Sequence, residues 1–183
     1  MKTFITSDLH FGHANIMKFC PETRARFKND VAYMNEAMVR EWNEIVQPED
    51  LTYILGDVAF CNVQTATGFL RRMNGRKVLI VGNHDRKLVQ DKSFCNEFVS
   101  VEKYLDINYD GHKIVMFHYP IFEWDQAHRG AIHFYGHKHG GACPDMTKYR
   151  ARDVGMDATG RIVVSMEDAI RDALTGAIKG HHD

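Results

Sequence analysis

Cysteine pairs and long apolar runs are missing from this sequence, and each absence excludes a class of protein. The four cysteines, Cys20, Cys61, Cys95 and Cys143, lie far apart and form no C-x-x-C pair. This spacing argues against zinc-finger and thioredoxin-like sites and favours a reducing, cytoplasmic compartment. No apolar run approaches the roughly 18 residues of a membrane span, and the first residues lack the apolar segment of a signal peptide. The sequence therefore predicts a cytoplasmic protein with no membrane partner.

An excess of charge of one sign is also missing. Lysine and arginine number 23 against 24 aspartates and glutamates, which gives a formal net charge of -1. No global attraction to nucleic acid or to a membrane follows from this balance. The local basic stretches at 71–77 and 148–152 are interpreted as solvated surface, so nucleic acid is not a favoured partner. A hydrophobic content of 44% in 183 residues predicts a single domain over 1–183. The sequence makes no prediction of oligomeric state.

Short apolar segments alternate with amphipathic ones in the first half of the chain. Asp30 is a candidate N-cap for a clearly amphipathic helix, and Asn62 for a weaker helix over 63–73. A short helix over 15–20 precedes them, and residues 21–29 are interpreted as a loop. The apolar segments are predicted strands over 2–6, 51–55 and 77–81. This alternation predicts a parallel sheet with crossover helices, in which ligands collect beyond the carboxyl ends of the strands.

The second half has an antiparallel character. Asp110-Gly111 is a strong type I′ turn signal between predicted strands over 98–108 and 112–117. Residues 140–160 are interpreted as a loop with a short strand near Val154. The remaining predictions are a strand over 132–135, a last strand over 161–164, a helix that begins at a Ser165 capping box and continues to Ile178, and a frayed tail over 181–183. The sequence thus predicts an α/β fold with a second sheet.

Histidine is abundant, at 11 residues, and polar side chains follow most of the predicted strands. In an extended Asp-x-His, the side chains at i and i+2 point the same way, so Asp8 and His10 can share one metal. The donors at the strand ends are Asp8, His10, Asp57, Asn83, His84, His118, His137 and His139. They exceed the needs of one ion and suit two metals that share a bridging carboxylate. Because no thiolate is included, hard or borderline ions are favoured.

The order of these motifs resembles the calcineurin-like metallophosphoesterase family. Asp-x-His, Gly-Asp, Gly-Asn-His-Asp, His and Gly-His-x-His follow one another between residues 8 and 139, and five matches in order are far more specific than any one of them. The resemblance implies an α/β fold with two mixed β-sheets packed as a sandwich and flanked by helices. The parallel half and the antiparallel half predicted above are compatible with that fold.

The resemblance also implies a role for each motif residue. It assigns a first metal to Asp8, His10 and His139, and a second metal to Asn83, His118 and His137. Asp57 would bridge the two ions. His84 would stay off the metals and face the substrate, with Asp85 as its orienting partner. The expected cofactors are two divalent ions, with Mn²⁺ favoured and Fe, Ni, Co and Zn as alternatives.

The function implied is hydrolysis of a phosphodiester or a phosphomonoester by a binuclear phosphohydrolase, with attack by a metal-bridging hydroxide and assistance to the leaving group from His84. Few residues remain to shape a pocket, which favours an open site and a small, nucleotide-type phosphoester substrate. Two alternatives remain: a nuclease acting on nucleic-acid ends, and a catalytically silent scaffold of the same fold. The scaffold is disfavoured because no ligand position is missing and His84 is present.

Several polar residues have no settled role at this stage. Lys138 lies between the paired histidines and is expected to point to solvent rather than to touch a substrate phosphate. His13 and Asn15 either line the substrate face or are structural, and the sequence does not decide between these roles. Other isolated histidines, such as His133, are interpreted as structural.

Overall fold

Two β-sheets lie at the centre of the structure, a computed structural model that describes residues 1–180. The strands are β1 (Thr3–Thr6), β2 (Leu51–Ile54), β3 (Arg76–Ile80), β4 (Ser100–Glu102), β5 (Leu105–Tyr109), β6 (His112–Met116), β7 (Ile132–Tyr135), β8 (Ala151–Asp153) and β9 (Val164–Ser165). The first sheet has the order β4-β3-β2-β1-β9, and the second has the order β5-β6-β7-β8.

Each sheet mixes parallel and antiparallel pairs. In the first, β1 to β4 are all parallel, with Phe4 opposite Thr52, while β9 runs antiparallel to β1. In the second, β5 and β6 form the expected antiparallel hairpin, and β6, β7 and β8 are parallel. The parallel first half and the hairpin at Asp110-Gly111 are therefore confirmed.

Helices flank the two sheets, and α8 also packs into the core between them. They are α1 (Ile16–Phe19), α2 (Pro21–Arg24), α3 (Val31–Ile45), α4 (Val63–Arg72), α5 (Lys92–Cys95), α6 (Pro144–Thr147), α7 (Met156–Thr159) and α8 (Met166–Ala173). The predicted N-caps Asp30 and Asn62 are confirmed: the Asp30 carboxylate accepts from the amides of Ala32 and Tyr33, and the Asn62 side chain accepts from the amide of Thr65.

Alternate residues of the buried strands face two different cores. Phe4 and Leu79 pack with Met34, Met38 and Trp42 of α3 in a core outside the first sheet. Their neighbours Ile5, Val78 and Ile80 pack against strands of the second sheet and against α8 in a core between the layers. Because the side chains of a strand alternate between its faces, strands buried on both sides read as continuous apolar runs. The predicted sandwich of two mixed sheets flanked by helices is confirmed.

The single strand expected over 98–108 is wrong. Residues 100–102 form β4 and pair with β3 in the first sheet, whereas residues 105–109 form β5 and pair with β6 in the second. The chain thus passes from one sheet to the other within two residues. A strand pattern shows which residues are extended but not which partner they pair with, so the sequence did not reveal this change.

Residues 21–29 and 140–160 hold more regular structure than the loops expected there. Pro21 is the first residue of α2, where its fixed φ suits a first helical turn, and a 3₁₀ turn follows at Ala25–Phe27. The second segment holds α6, β8 and α7. These elements are three or four residues long, too short for a periodic pattern to show in the sequence.

The last elements also differ from their predicted bounds. The final strand is β9 at Val164–Ser165 rather than 161–164, and Ser165 caps α8 by accepting from the amide of Asp168. This helix ends at Ala173 and not at Ile178, because the following chain turns towards the segment after α6, where the Ala177 amide donates to the Lys148 carbonyl. The expected frayed tail over 181–183 lies outside the described residues. Among residues 1–180, no helix has both the length and the apolar character needed to cross a membrane.

His133 is a fully buried histidine on β7 whose two ring nitrogens have different partners. Nδ1 lies 3.2 Å from the Val115 carbonyl oxygen and donates to it, and Nε2 accepts from the Ile121 amide at 3.3 Å. One neutral tautomer satisfies both bonds. Burial lowers the pKa of His133 from 6.5 to about 4, against the opposing effect of its backbone hydrogen bonds.

We expect His133 to make the protein less stable in mild acid. Below pH 6.5 the unfolded chain binds a proton that the folded chain does not, so stability falls as the pH drops from 6.5 towards 4, by about 1.4 kcal/mol per pH unit for one such group. Between pH 7 and pH 5 the wild type should lose about 2 kcal/mol more than His133→Gln, which has no titrating ring. Urea unfolding at several pH values measures this difference, and parallel pH profiles for the two proteins would contradict it.

Candidate metal centre

The predicted donors lie in loops whose backbone is strained. Five of them have positive φ angles between 48° and 68°, a region that residues other than glycine seldom adopt: Asp8, His10, Asp57, His137 and His139. Each such residue costs on the order of 1–3 kcal/mol and persists only where its surroundings impose it. Strain concentrated on side chains that converge on one place is typical of a functional site.

Two glycines let the loops approach one another closely. A Cβ atom on Gly82 would lie 2.3 Å from Oδ1 of Asp57, and one on Gly136 would lie 2.5 Å from Oδ2 of Asp8. Both distances are far inside van der Waals contact. Glycine at these two positions therefore allows the candidate ligands of different strands to gather at one edge of the sandwich.

Asp8, His10 and His139 form the first cluster of donors, with one ligand atom from each lying within 4.8 Å of the others. Asp8 Oδ1 is 3.8 Å from Nε2 of His10 and 3.8 Å from Nε2 of His139. Within residues 1–180, Asp8 Oδ1 and His10 Nε2 are buried and have no hydrogen-bond partner. Since buried polar atoms are almost always paired, two unpaired acceptors that converge fit a cation.

The ionisation of this cluster depends on its burial. Burial raises the pKa of Asp8 to about 7, although His139 and hydrogen bonds from Ser7 and the His137 amide oppose the rise. Burial lowers the pKa of His10 to about 2, which keeps its imidazole neutral and able to ligate. A neighbouring cation stabilises the carboxylate form of a buried aspartate.

His13 lies directly behind His10. The two Nδ1 atoms are 3.3 Å apart, so with Nε2 of His10 free as a ligand, its Nδ1 carries the proton and donates to His13. A second hydrogen bond of this kind fixes the tautomer and orientation of a metal-binding histidine. His13 therefore contacts the candidate centre, whereas Asn15 is exposed at the start of α1 and its side chain makes no capping bond. Lys138 is exposed, as expected.

Asp57, His118 and His137 form the second cluster. The Nδ1 atom of His118 donates to the Leu55 carbonyl at 2.6 Å, which leaves its Nε2 as a lone-pair donor 3.6 Å from Oδ2 of Asp57. Asn83 Oδ1 lies 3.0 Å from the same Nε2. Two acceptor atoms that face each other at this distance again fit a shared cation.

The Asp57 carboxylate lies between the two clusters. Its Oδ2 atom is 3.7 Å from Nε2 of His10 in the first cluster and 3.6 Å from Nε2 of His118 in the second. Its Oδ1 accepts from the backbone amide of His84 at 2.9 Å. The structure thus brings together all seven predicted metal ligands around one buried carboxylate.

His84 stands at the open side of this carboxylate. Its Nε2 is 3.9 Å from Oδ2 of Asp57, and its side chain is 36% exposed. Its ring lies edge-on to that of His10, with centroids 5.4 Å apart. An imidazole in this position can reach a substrate that approaches from solvent.

Asp85 does not pair with His84 as expected. Its buried carboxylate accepts three backbone bonds, from the amides of Asp57 (2.8 Å), Val58 (2.9 Å) and Gly82 (2.9 Å). Burial raises the pKa of Asp85 to about 6 although these bonds lower it. The side chain that follows His84 points inward and ties the loop after β2 to the loop after β3. It holds Asp57 in place.

Sequence reasoning missed Arg24 and Asp157, which support the first cluster from behind. Asp157 Oδ2 accepts from Nδ1 of His139 at 2.8 Å, and the fully buried Arg24 binds Asp157 through Nε and Nη2, both at 2.8 Å. Arg24 also donates to the carbonyls of Asp8 (2.7 Å) and Leu9 (3.0 Å). Burial would raise the pKa of Asp157, but the bonds from His139 and Arg24 outweigh it and hold that pKa well below its usual range.

The Arg24–Asp157 pair brings one formal positive and one formal negative charge to this cluster from positions far apart in the chain. It also holds the imidazole of His139, whose pKa would fall by burial but is raised overall by the bond to Asp157 and by the charge of Asp8. No spacing in the sequence connects positions 24 and 157, and an arginine in a polar, basic stretch resembles a surface residue. Only the folded chain shows the pair.

Oxygen and imidazole donors from the ends of several strands, set in an α/β sandwich, define a candidate centre for divalent cations in a hydrolase. A sequence model of the calcineurin-like phosphoesterase family matches residues 1–141. The chain belongs to the calcineurin-like phosphoesterase family. The expected family is thereby confirmed, and phosphoester hydrolysis is the general reaction of the class.

Individual proteins similar to this chain extend the comparison. An uncharacterized protein of Methanocaldococcus jannaschii is 34% identical over 140 residues, which cover 75% of this chain and 69% of that protein. The Gene 66 protein of Mycobacterium phage L5 is 28% identical over 189 residues, with 88% of this chain and 89% of that protein covered. The crystal structure of a protein of unknown function from Aquifex aeolicus superposes with a TM-score of 0.71 at 22% identity, over 93% of this chain and 98% of that one. This last likeness supports the fold.

Proposed function

We propose that the protein is a binuclear, metal-dependent phosphoesterase that hydrolyses a small nucleotide-type phosphodiester. The observation that carries the proposal is the position of Asp57 between two donor clusters, one of which holds the unpaired buried atoms Asp8 Oδ1 and His10 Nε2. One cation held by three donors would leave the other cluster unused. Two cations use every predicted ligand.

The proposed ligand sets keep the division expected from the sequence. Asp8, His10 and His139 would hold one ion, Asn83, His118 and His137 would hold the other, and Asp57 would serve both. Two divalent ions would supply Lewis-acid stabilisation of the phosphoryl oxygens and would activate water near neutral pH. Mn²⁺ is the favoured metal, since the donors are oxygens and imidazoles without a thiolate.

The residues of the chain supply the remaining functions. Hydrolysis forms a bond from a water oxygen to phosphorus and breaks the bond to the leaving oxygen, so the water gives up one proton and the leaving oxygen takes one up. His84 donates a proton to the leaving oxygen, because its ring is exposed beside Asp57 and can reach a phosphoester bound there. Asp85 and the Arg24–Asp157 pair are positioning residues that hold Asp57 and His139.

The four cysteines are free thiols, which supports the reducing cytoplasm as the compartment.

Removal of metal should abolish the activity. After exhaustive chelation we expect no hydrolysis of bis(p-nitrophenyl) phosphate or p-nitrophenyl phosphate, recovery that is best with Mn²⁺, and weaker recovery with Ni²⁺ or Co²⁺. Calorimetric titration of the apoprotein should count two ions, and Asp57→Asn should weaken the binding of both. Full activity in protein with no measurable metal would overturn the proposal. Unchanged affinity for either ion in Asp57→Asn would overturn the bridging role alone.

A further inference from the structure

A row of aromatic rings leads away from His84 across the surface. The ring of His84 lies edge-on to Phe60 with centroids 5.2 Å apart, His13 stacks on Phe60 at 4.5 Å, and Phe19 meets His13 edge-on at 6.1 Å. We call Phe19, His13, Phe60 and His84 the aromatic row. Its two phenylalanines are 69% and 52% exposed. The row therefore presents apolar rings to solvent immediately beside the candidate centre.

The fold holds these rings in place. A backbone bridge joins Phe11 to Ala59, and the amide of Phe60 donates to the Phe11 carbonyl at 2.7 Å. Gly12 has a φ of +78°, and a Cβ atom there would lie 2.9 Å from Cβ of Cys61. The Gly12 amide donates to the side chain of Asn35 on α3 at 2.9 Å. The loops that carry His13 and Phe60 are thus fastened together and to a long helix before any ligand arrives.

Exposed aromatic rings need an explanation when they cluster at a site. Leaving two phenylalanines in water forgoes the free energy of their burial, and apolar patches next to a functional site often mark where a ligand binds. A cavity of about 280 Å³ opens beside the row and is lined by Phe60, His84 and Lys87, among others. The exposed, cationic side chain of Lys87 is among its lining residues. A flat heteroaromatic group linked to a phosphate matches these features.

We infer that the aromatic row is a nucleobase-binding subsite on the leaving-group side of the phosphoryl group, so that the substrates are phosphodiesters of nucleosides. The inference rests on the proposed function, because it takes His84 as the residue that faces the leaving oxygen. The aromatic row begins at His84, continues to Phe60 and passes His13, whose ring lies 5.2 Å from that of His10, so a group attached to that oxygen would lie against the exposed ring of Phe60. Stacking uses the π-face that every base has, and we therefore expect little preference among the four bases.

The test compares two substrates that differ only in a base. One is thymidylyl-thymidine, and the other is the same dinucleoside monophosphate with the leaving-side thymine replaced by hydrogen. Because stacking on an aromatic side chain contributes about 1–3 kcal/mol per base, the wild type with Mn²⁺ should prefer the complete substrate by about 5- to 150-fold in kcat/KM, mainly through KM. In Phe60→Ala this preference should fall towards 1. In Phe60→Trp it should be retained.

Phe122→Ala is the matched control. Phe122 is 49% exposed, close to the exposure of Phe60, and its ring contacts Lys179, with no ring contact to the aromatic row among residues 1–180. This variant should keep the preference of the wild type. Metal titration of Phe60→Ala should still count two ions, which separates loss of the subsite from damage to the centre.

The outcomes separate the inference from the proposed function. Equal hydrolysis of both dinucleotides by the wild type, or hydrolysis of p-nitrophenyl esters but of neither dinucleotide, would overturn the nucleobase subsite and leave the phosphoesterase standing. Absence of hydrolysis with every ester and metal would overturn the proposed function. In that case, binding of a dinucleotide that carries 2-aminopurine decides the subsite: fluorescence quenching that is lost in Phe60→Ala supports it, and no quenching by the wild type overturns it.

Discussion

Replacing Arg24 with methionine should lower the free energy of unfolding by about 3–5 kcal/mol. Arg24 is fully buried and binds both carboxylate oxygens of Asp157 at 2.8 Å. Methionine has a similar length but no charge, so the Asp157 carboxylate would remain buried without its counterion. The carbonyls of Asp8 and Leu9 would lose their donor as well. Chemical denaturation of the metal-free protein measures the loss without a contribution from bound ions.

The same molecule provides an exposed pair for comparison. Arg26 binds both oxygens of Glu41, at 2.7 and 2.9 Å, in a similar bidentate geometry. Its side chain is 44% exposed, and surface pairs of this kind contribute at most about 1 kcal/mol. Arg26→Met should therefore be nearly neutral. Equal losses in the two variants would contradict the importance assigned to burial.

A double variant separates stability from metal binding. With Arg24→Met and Asp157→Leu together, no unpaired charge is buried, and the free energy of unfolding should recover much of its loss. Binding at the first cluster should not recover, because Nδ1 of His139 would have lost the carboxylate that orients it, and removal of such a partner typically weakens metal binding by about 10- to 100-fold. Recovery of both properties would mean that Asp157 only balances the charge of Arg24.

Local patterns predicted the donors well, and contacts between distant segments explain what they missed. An extended Asp-x-His predicts that Asp8 and His10 converge, and the two side chains do converge. Their φ angles of 58° and 55° are left-handed, however, so a turn and not an extended strand brings them together. Adjacency in the sequence predicts that Asp85 pairs with His84, but the turn after β3 directs the aspartate towards the amides of another loop. Adjacent residues at a sharp turn point in different directions, and the sequence does not reveal which.

In each of these cases, the sequence does not predict which distant segment a residue or strand will contact. Arg24 and Asp157 are separated by 133 positions, and each looks like a surface charge until the fold removes both from water. In the same way, the residues of β4 and β5 are correctly predicted as extended, but the sequence does not show that they join different sheets. The periodicity of side chains reports burial on one face, whereas pairing depends on the whole topology.

His84→Gln should lower kcat by about 10²–10⁴, the range typical of a general acid or base. The ring of His84 is exposed beside Asp57 and is not one of the donors in either cluster. Glutamine keeps the backbone amide that binds Asp57 Oδ1, so the fold and both ions should remain. Calorimetric metal titration and denaturation of the variant check these two conditions before its kinetics are interpreted. His112→Gln, at the opposite end of β6 from His118, serves as the control and should behave like the wild type.

A comparison of two leaving groups then shows how His84 acts. A basic alkoxide needs a proton as it departs, whereas p-nitrophenolate needs little protonation. If His84 donates that proton, the loss in His84→Gln should be larger for a dinucleoside monophosphate than for bis(p-nitrophenyl) phosphate. Equal losses would mean that the imidazole stabilises the phosphoryl group by charge or hydrogen bonding. Loss of an ion from the variant would mean that His84 is a metal ligand. The proposed ligand sets around Asp57 would then include His84, and His84 would not be the proton donor.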